Sequence, residues 1–489
     1  MPRLTRNSPV SLTRPSRLIF LSLLSGALSA CISVGPDYQR PDVTAPASWQ
    51  NAPTGQAADS VRLARWWAQL RDPTLDRLIE TALASSPNML TAQTRLREAR
   101  ARRGLQAVQD APSVSASGGV SRNSTRGEQN SGSSHNLSAG LDASWEIDIF
   151  GGQRRALESA NATLAATQAD LDATRVSLAA EVASNYINLR TDEARLLVAR
   201  ANLASRQQTL QLTQWRGEAR LVSGLEINQA RSSVEQTRAS IPGLLRSIEE
   251  DRLTLALLLG LQRQDVDGLL PAGQLPALPT DIAVGIPADT LRQRPDVSAA
   301  ERRLAAQTAQ IGVAKAQRYP NLNLSGSIGI DALSLAGLLR ADTITTNLVA
   351  SLAAPVFDAG RITQNIEIQS ALQEQALITY RQAVNQALND VEKALNAWVR
   401  SSERLLILQV AADTAREAAR LATIRFQAGQ TDLLTQLDTQ RIQLTQEELL
   451  ASAQGDRANA LVQLYKALGG GWQGMQPDTQ SSTATGSGQ

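Results

Sequence analysis

Ala143-Ser-Trp-Glu-Ile-Asp-Ile-Phe-Gly-Gly-Gln-Arg154 and Ser351-Leu-Ala-Ala-Pro-Val-Phe-Asp-Ala-Gly-Arg361 decide the fold. Each begins as an alternating strand, passes through Phe150 or Phe357, and turns at glycine or small residues. Each then enters a helical pattern that runs for some sixty residues without a further glycine. Strands that feed helices of such length are unusual in a soluble domain. Two of them predict a membrane β-structure joined to a helical tube.

Outward from the first stretch, Leu137, Ala139, Leu141, Ala143, Trp145, Ile147 and Ile149 alternate with Ser138, Asp142, Ser144, Glu146 and Asp148. Before it, Val114, Ala116, Gly118 and Val120 alternate with serines, and Thr125 to Asn136 reads as a polar loop. A half-buried soluble sheet would alternate too. Length favours the membrane, since a tilted spanning strand needs about 9–11 residues. After Gly152 the helix predicted to about Gln214 would measure about 95 Å. Leu164, Leu171, Leu178, Val182, Leu189, Leu196 and Leu203 form its coiled-coil seam. A break at Gly217 to Gly224 precedes a helix that Pro242 interrupts and bends.

The second half repeats the first at a shift of about 208 positions. Pro87 is echoed by Pro295, Leu96 by Leu304, Gly104 by Gly312 and Pro112 by Pro320. The expected layout is an export signal over 1–30, an extended leash over 31–60 and a first repeat over 61–270, with strands at about 113–124 and 137–149. A connector over 271–287 leads to a second repeat over 288–470, with strands at about 321–331 and 345–357, and a disordered tail over 471–489. The class is an α+β membrane protein, internally duplicated. One chain then supplies four strands, and an open edge does not survive in lipid. Two chains would give eight strands and three would give twelve, a number that strand physics leaves open.

The amino terminus explains the charge. Arg3, Arg6, Arg14 and Arg17 precede an apolar run, Leu18 to Leu28; without those four cations the formal +2 becomes −2. No nucleic-acid partner is implied. The apolar run is too short for a spanning helix, and Leu28-Ser-Ala-Cys31 reads as a lipobox, with Cys31 the lipidated first residue. One Cys and one His exclude an internal disulfide and a Cys/His metal centre. His135 lies beside Ser133 and Ser134 with no fixed acid partner, and no phosphate-binding loop occurs. The chain is expected to be no enzyme, with no catalytic residue, cofactor or metal.

Several motifs resemble the outer-membrane efflux lipoproteins of the NodT type, within the TolC-like outer-membrane factors. They are Cys31-Ile-Ser-Val-Gly-Pro-Asp-Tyr38, Trp66-Trp67 with Asp72-Pro73, Trp145 to Gly151, Leu291-Arg-Gln-Arg-Pro-Asp-Val297, Ala300-Glu301, Ile311-Gly312 and Tyr319 to Leu324. The resemblance implies a homotrimer with a twelve-stranded β-barrel in the outer membrane on a periplasmic α-helical coiled-coil barrel. It implies a passive duct for drugs, metals or other small molecules, working with a periplasmic adaptor and an inner-membrane pump. It places a periplasmic gate at the second hairpin tip: Leu434 as an apolar ring, Asp438 as an acidic ring, and Arg441 as a basic residue holding helices closed. Adaptor contacts fall at Leu221, Val222 and Ser223 and at Gly429, Gln430 and Thr431. Arg220 stands where the family's first tip has glycine, and Thr435 where some relatives have a second aspartate. A protein-secretion channel shares this architecture; a coiled-coil scaffold or adhesin without a pore is the alternative of another class.

Overall fold

A computed structural model describes residues 33–42, 46–50, 63–126, 131–279, 287–332 and 344–472. Cys31, the signal over 1–30, the leash over 51–60 and the tail beyond 472 lie outside the described residues. A short 3-10 turn, Trp66–Leu70, precedes α1 (Pro73–Ser85) and α2 (Pro87–Val108). Then come β1 (Ser113–Arg126), β2 (Ser131–Ile147), α3 (Gly152–Glu218), α4 (Gly224–Leu259) and α5 (Arg263–Asp267). The second repeat holds α6 (Pro287–Gln293), α7 (Pro295–Ala316), β3 (Asn321–Ala332), β4 (Ile344–Ala353), α8 (Arg361–Gln427) and α9 (Leu433–Ala467).

The duplication is metrically strict. Helices α3 and α8 are each 67 residues long. Left-handed backbone recurs at matched places, before them at Gly151 and Gly360, after them at Arg220 and Gly429, and beyond the return helices at Gly260 and Gly469. Every pair is separated by 209 residues.

The chain divides into two compact units. One contains Ala99–Leu164, Arg302–Ile378 and the described part of Met1–Arg40. Its sheet is antiparallel in the order β1-β2-β3-β4. The register puts Val114, Ala143, Gly326 and Leu348 in one cross-strand row, and Ser115, Asp142, Ser327 and Asn347 in another. One face is therefore apolar and the other polar, because strand side chains alternate with period two. The apolar face is uncovered: Val120 is 80% exposed and Leu348 86%. That pattern suits a sheet whose apolar side meets lipid.

Strand ends differ from the expectation. The polar segment 131–136 belongs to β2, since ladder hydrogen bonds need only backbone; His135 faces Arg122 there instead of sitting in a loop. β2 stops at Ile147 and not 149, and Asp148 turns to accept the Arg154 N–H at 2.9 Å. β4 stops at Ala353 and not 357, two residues before Pro355, which has no N–H to donate. The start of the leash is also not free. The Val34 N–H donates to Phe150 O at 3.1 Å. Buried Arg155 donates to Val34 O at 3.1 Å, to Gly35 O at 3.4 Å and to Asp37 Oδ1 at 2.7 Å. Gly35 packs so closely on Gly312 that a Cβ at Gly35 would collide with Gly312 Cα.

The second unit contains Ala165–Glu301 and the described parts of Pro41–Glu98 and Thr379–Gln489. Its core is Trp66, Trp67, Leu75, Leu78, Ile79, Tyr186 and Tyr380, all 1% exposed or less. Trp66 stacks on Tyr465 at 5.3 Å. Arg294, whose side chain is 9% exposed, pairs with Asp296 at 2.7 Å and Asp390 at 3.1 Å. It also donates to Ala467 O at 2.9 Å, closing the end of α9. Along α3 the predicted seam is buried at Leu171, Leu178, Val182, Leu189 and Leu196. Helix α4 runs through Pro242 without a break. The proline removes one helical hydrogen bond, but it sits on an exposed face where water can reach the freed Arg238 carbonyl. Gly471 and Trp472 are not part of a disordered tail: the Gly471 N–H donates to Leu63 O at 2.9 Å and Trp472 Nε1 to Gln293 O at 3.1 Å.

Candidate gate at the hairpin tips

Each long helix ends in the same turn. At the first tip the Arg220 N–H donates to Gly217 O at 2.9 Å and the Leu221 N–H to Arg216 O at 2.8 Å. At the second, Gly429 donates to Phe426 O at 3.0 Å and Gln430 to Arg425 O at 2.8 Å. Such closing bonds require a left-handed residue. Gly429 supplies it at φ 73°, and Arg220 adopts it at φ 57° despite its side chain. The missing glycine therefore leaves the turn intact. Leu221, Ser223, Gly429 and Gln430 are exposed, and Val222 and Thr431 half-buried.

The return helices are capped differently. Ser223 donates both its N–H (2.7 Å) and its Oγ (3.1 Å) to Glu226 Oε2. Asp432 instead accepts the Thr435 N–H at 2.6 Å, which holds its carboxyl below the usual range. Beyond the caps the tips diverge in chemistry. Leu434 is 61% exposed and its counterpart Leu225 67%. Asp438 and Arg441, one turn further on, form an ion pair at 2.7 Å on the exposed side of α9. The matching positions in α4 are Gln229 and Ser232, which carry no charge.

Behind the tips lies a small apolar cluster of Ala230, Phe426 and Leu433. Arg216 crosses from α3 to lie over the Phe426 ring at 4.5 Å and donates to Phe426 O at 2.6 Å. Above it the packing becomes polar. Gln440 Nε2 donates to Ser205 Oγ at 3.0 Å and Thr209 Oγ1 at 3.1 Å, and Asn202 donates to Glu447 Oε2 at 3.1 Å. Arg206, 4% exposed, donates to Ser233 O and Oγ at 3.1 and 2.9 Å. Its pKa is lowered, first by burial and then by the charge of Arg441. The sequence singles out Leu434, Asp438 and Arg441 but not Arg206, Arg216 or Gln440. Nothing in a run of polar helix residues marks those that face a neighbouring helix, although polar residues at seam spacing, such as Asn202, Thr209 and Thr213, were a usable signal.

A four-stranded sheet with an uncovered apolar face, feeding two helical hairpins whose long arms are equal in length, defines an outer-membrane channel subunit. The chain belongs to the outer membrane efflux protein family, which matches residues 78–261 and 286–470. It is 35% identical to the pyoverdine export outer membrane protein OpmQ of Pseudomonas putida, covering 95% of this chain and 100% of that protein. The solved outer-membrane channel OprN has a TM-score of 0.84 and 36% identity over 90% of this chain and 99% of its own. The open state of the Neisseria gonorrhoeae MtrE outer membrane channel has a TM-score of 0.81 and 28% identity, covering 90% and 98%. This protein is thus the outer-membrane exit duct of an efflux pump, a TolC-like channel extending into the periplasm.

Proposed function

We propose that the duct closes at the second hairpin tip, with Leu434 and Asp438 forming rings round the threefold axis and Arg441 biasing the closed state. The supporting observation is the asymmetry of the tips: the turns match, but only the second carries an exposed acid–base pair beside an exposed leucine. Three Leu434 side chains can shut a narrow hole by packing or dewetting, and three carboxylates concentrate cations. Within one chain Arg441 neutralises Asp438, so the acidic ring acts fully only when Arg441 turns to another helix.

Opening requires the second hairpin to move against α3 and α4. Amide–hydroxyl bonds such as Gln440 to Ser205 suit that movement, because water replaces them at a net cost of about 0.5–1.5 kcal/mol each. The tips, Leu221 to Ser223 and Gly429 to Thr431, supply the adaptor contacts. The duct acts by conduction and not by catalysis, needs no cofactor, and leaves substrate choice among small molecules to the pump. Cys31 carries the lipid anchor; mass spectrometry of the amino-terminal peptide should find acyl chains there, and an unmodified cysteine in protein extracted from outer membranes would reject it. Single-channel recording of Asp438→Ala and Arg441→Ala tests the gate: unchanged conductance and ion preference in both would sink it.

A further inference from the structure

The apolar face of the sheet has a definable outer margin. Along β2 it runs from Ile147, paired with Leu322, to Leu137, paired with Ala332. Ten residue steps at about 3.3 Å, tilted by about 45°, span about 23 Å, close to the ~25 Å apolar band of outer-membrane barrels. The next position of the same parity is His135, and its cross-strand partner in β1 is Arg122. Val120, paired with Leu137, lies immediately inward of them. In β1 and β2, Arg122 and His135 are therefore the first polar residues on the lipid-facing side beyond the hydrocarbon.

We propose that Arg122 and His135 bind the phosphate of an anionic lipid headgroup in the external leaflet. Directly opposed strand residues have Cβ atoms about 4.5–5.5 Å apart, so both side chains can reach one tetrahedral anion. The guanidinium offers a planar fork of donors and the imidazole one more. Both side chains are exposed, and among the described residues neither makes an ion pair. The acids of β1 and β2, Asp142 and Glu146, lie on the opposite face toward the other end. A cation at the edge of hydrocarbon is poorly screened and strongly favours an anion there. Headgroup phosphates are the anions continuous with this face, and they would fix the height and tilt of the β1–β2 hairpin in the membrane. The inference rests on the lipid-facing reading of the sheet.

The chain has a single histidine, so histidine labelling with carbon-13 reports on His135 alone. The labelled trimer in phosphatidylethanolamine–phosphatidylglycerol bilayers should show 13C–31P dipolar dephasing at the His135 ring, and Arg122→Gln should reduce it at least threefold. A second probe separates the two readings: a fluorophore at Val120→Cys, in a Cys31→Ser background, should be quenched by brominated acyl chains. Quenching at 120 without dephasing at 135 overturns the headgroup site and leaves the sheet in lipid. No quenching at 120 overturns both. Equal dephasing in detergent containing only inorganic phosphate would show a soluble-anion site and overturn the lipid assignment.

Discussion

The two hairpin tips are the same object built from different residues. Both close with the same pair of backbone bonds, and both start a return helix four residues after the left-handed position. One uses Arg220 where the other uses Gly429, and one carries Gln229 and Ser232 where the other carries Asp438 and Arg441. Backbone geometry is thus conserved between the repeats while side-chain chemistry is not. The duplicated fold sets where a tip must be; the individual residues set what each tip does.

The largest expected effect tests that division. Arg441→Ala should raise resting conductance several-fold and Asp438→Ala should lower cation preference, whereas Ser232→Ala and Gln229→Ala should change neither. Single-channel recordings showing equal opening from the first tip would break the functional asymmetry. A smaller effect is expected in the turns. A Cβ added at Gly429 meets nothing within 4 Å, so Gly429→Ala isolates the cost of a left-handed backbone, about 1 kcal/mol. Arg220→Gly should relieve a similar strain at the first tip. Amide hydrogen exchange should quicken at 427–432 in the first variant and slow at 218–223 in the second.

The smallest effect concerns the return helices. Asp251 in α4 stands where α9 has buried Ala460. Its carboxyl, with one oxygen buried and unpartnered among the described residues, is pushed up to about 6 by burial and then by Asp192 and Glu250. The folded state therefore keeps a proton that the unfolded chain releases near the ordinary value of 3.8. Stability from this group is highest below about pH 4 and declines as pH rises towards 6. Asp251→Asn should flatten that slope, leaving thermal midpoints alike at pH 4 and raising the variant's at pH 7; a midpoint unchanged at pH 7 would mean that Asp251 is solvated.

Periodicity made most of this legible in the sequence. Alternation in β3 and the seam through Leu171, Leu178 and Leu189 mark their elements because one face of each is apolar. Segment 131–136 has no such contrast, and its strand character comes only from pairing with 121–126. The clamp of Arg155 on Val34, Gly35 and Asp37 was equally hidden, because residues about 120 positions apart meet through backbone acceptors that composition does not distinguish. The residues proposed for the gate stand out through resemblance, not physics: an exposed Asp438 three places before Arg441 looks like any helix-surface ion pair.

The equal 67-residue lengths of α3 and α8 carry a consequence for sequence change. A helix advances about 100° per residue, so deleting one residue from either arm would swing everything beyond it by more than a quarter turn. The seam leucines would leave the bundle and surface residues would enter it. Seven-residue changes come within about 20° of the original phase, and eleven-residue changes lie about as close. Even these would put one tip ahead of its twin unless the other arm changed by the same amount. Arm length in this protein should therefore drift only in steps of seven or eleven, and in both repeats together.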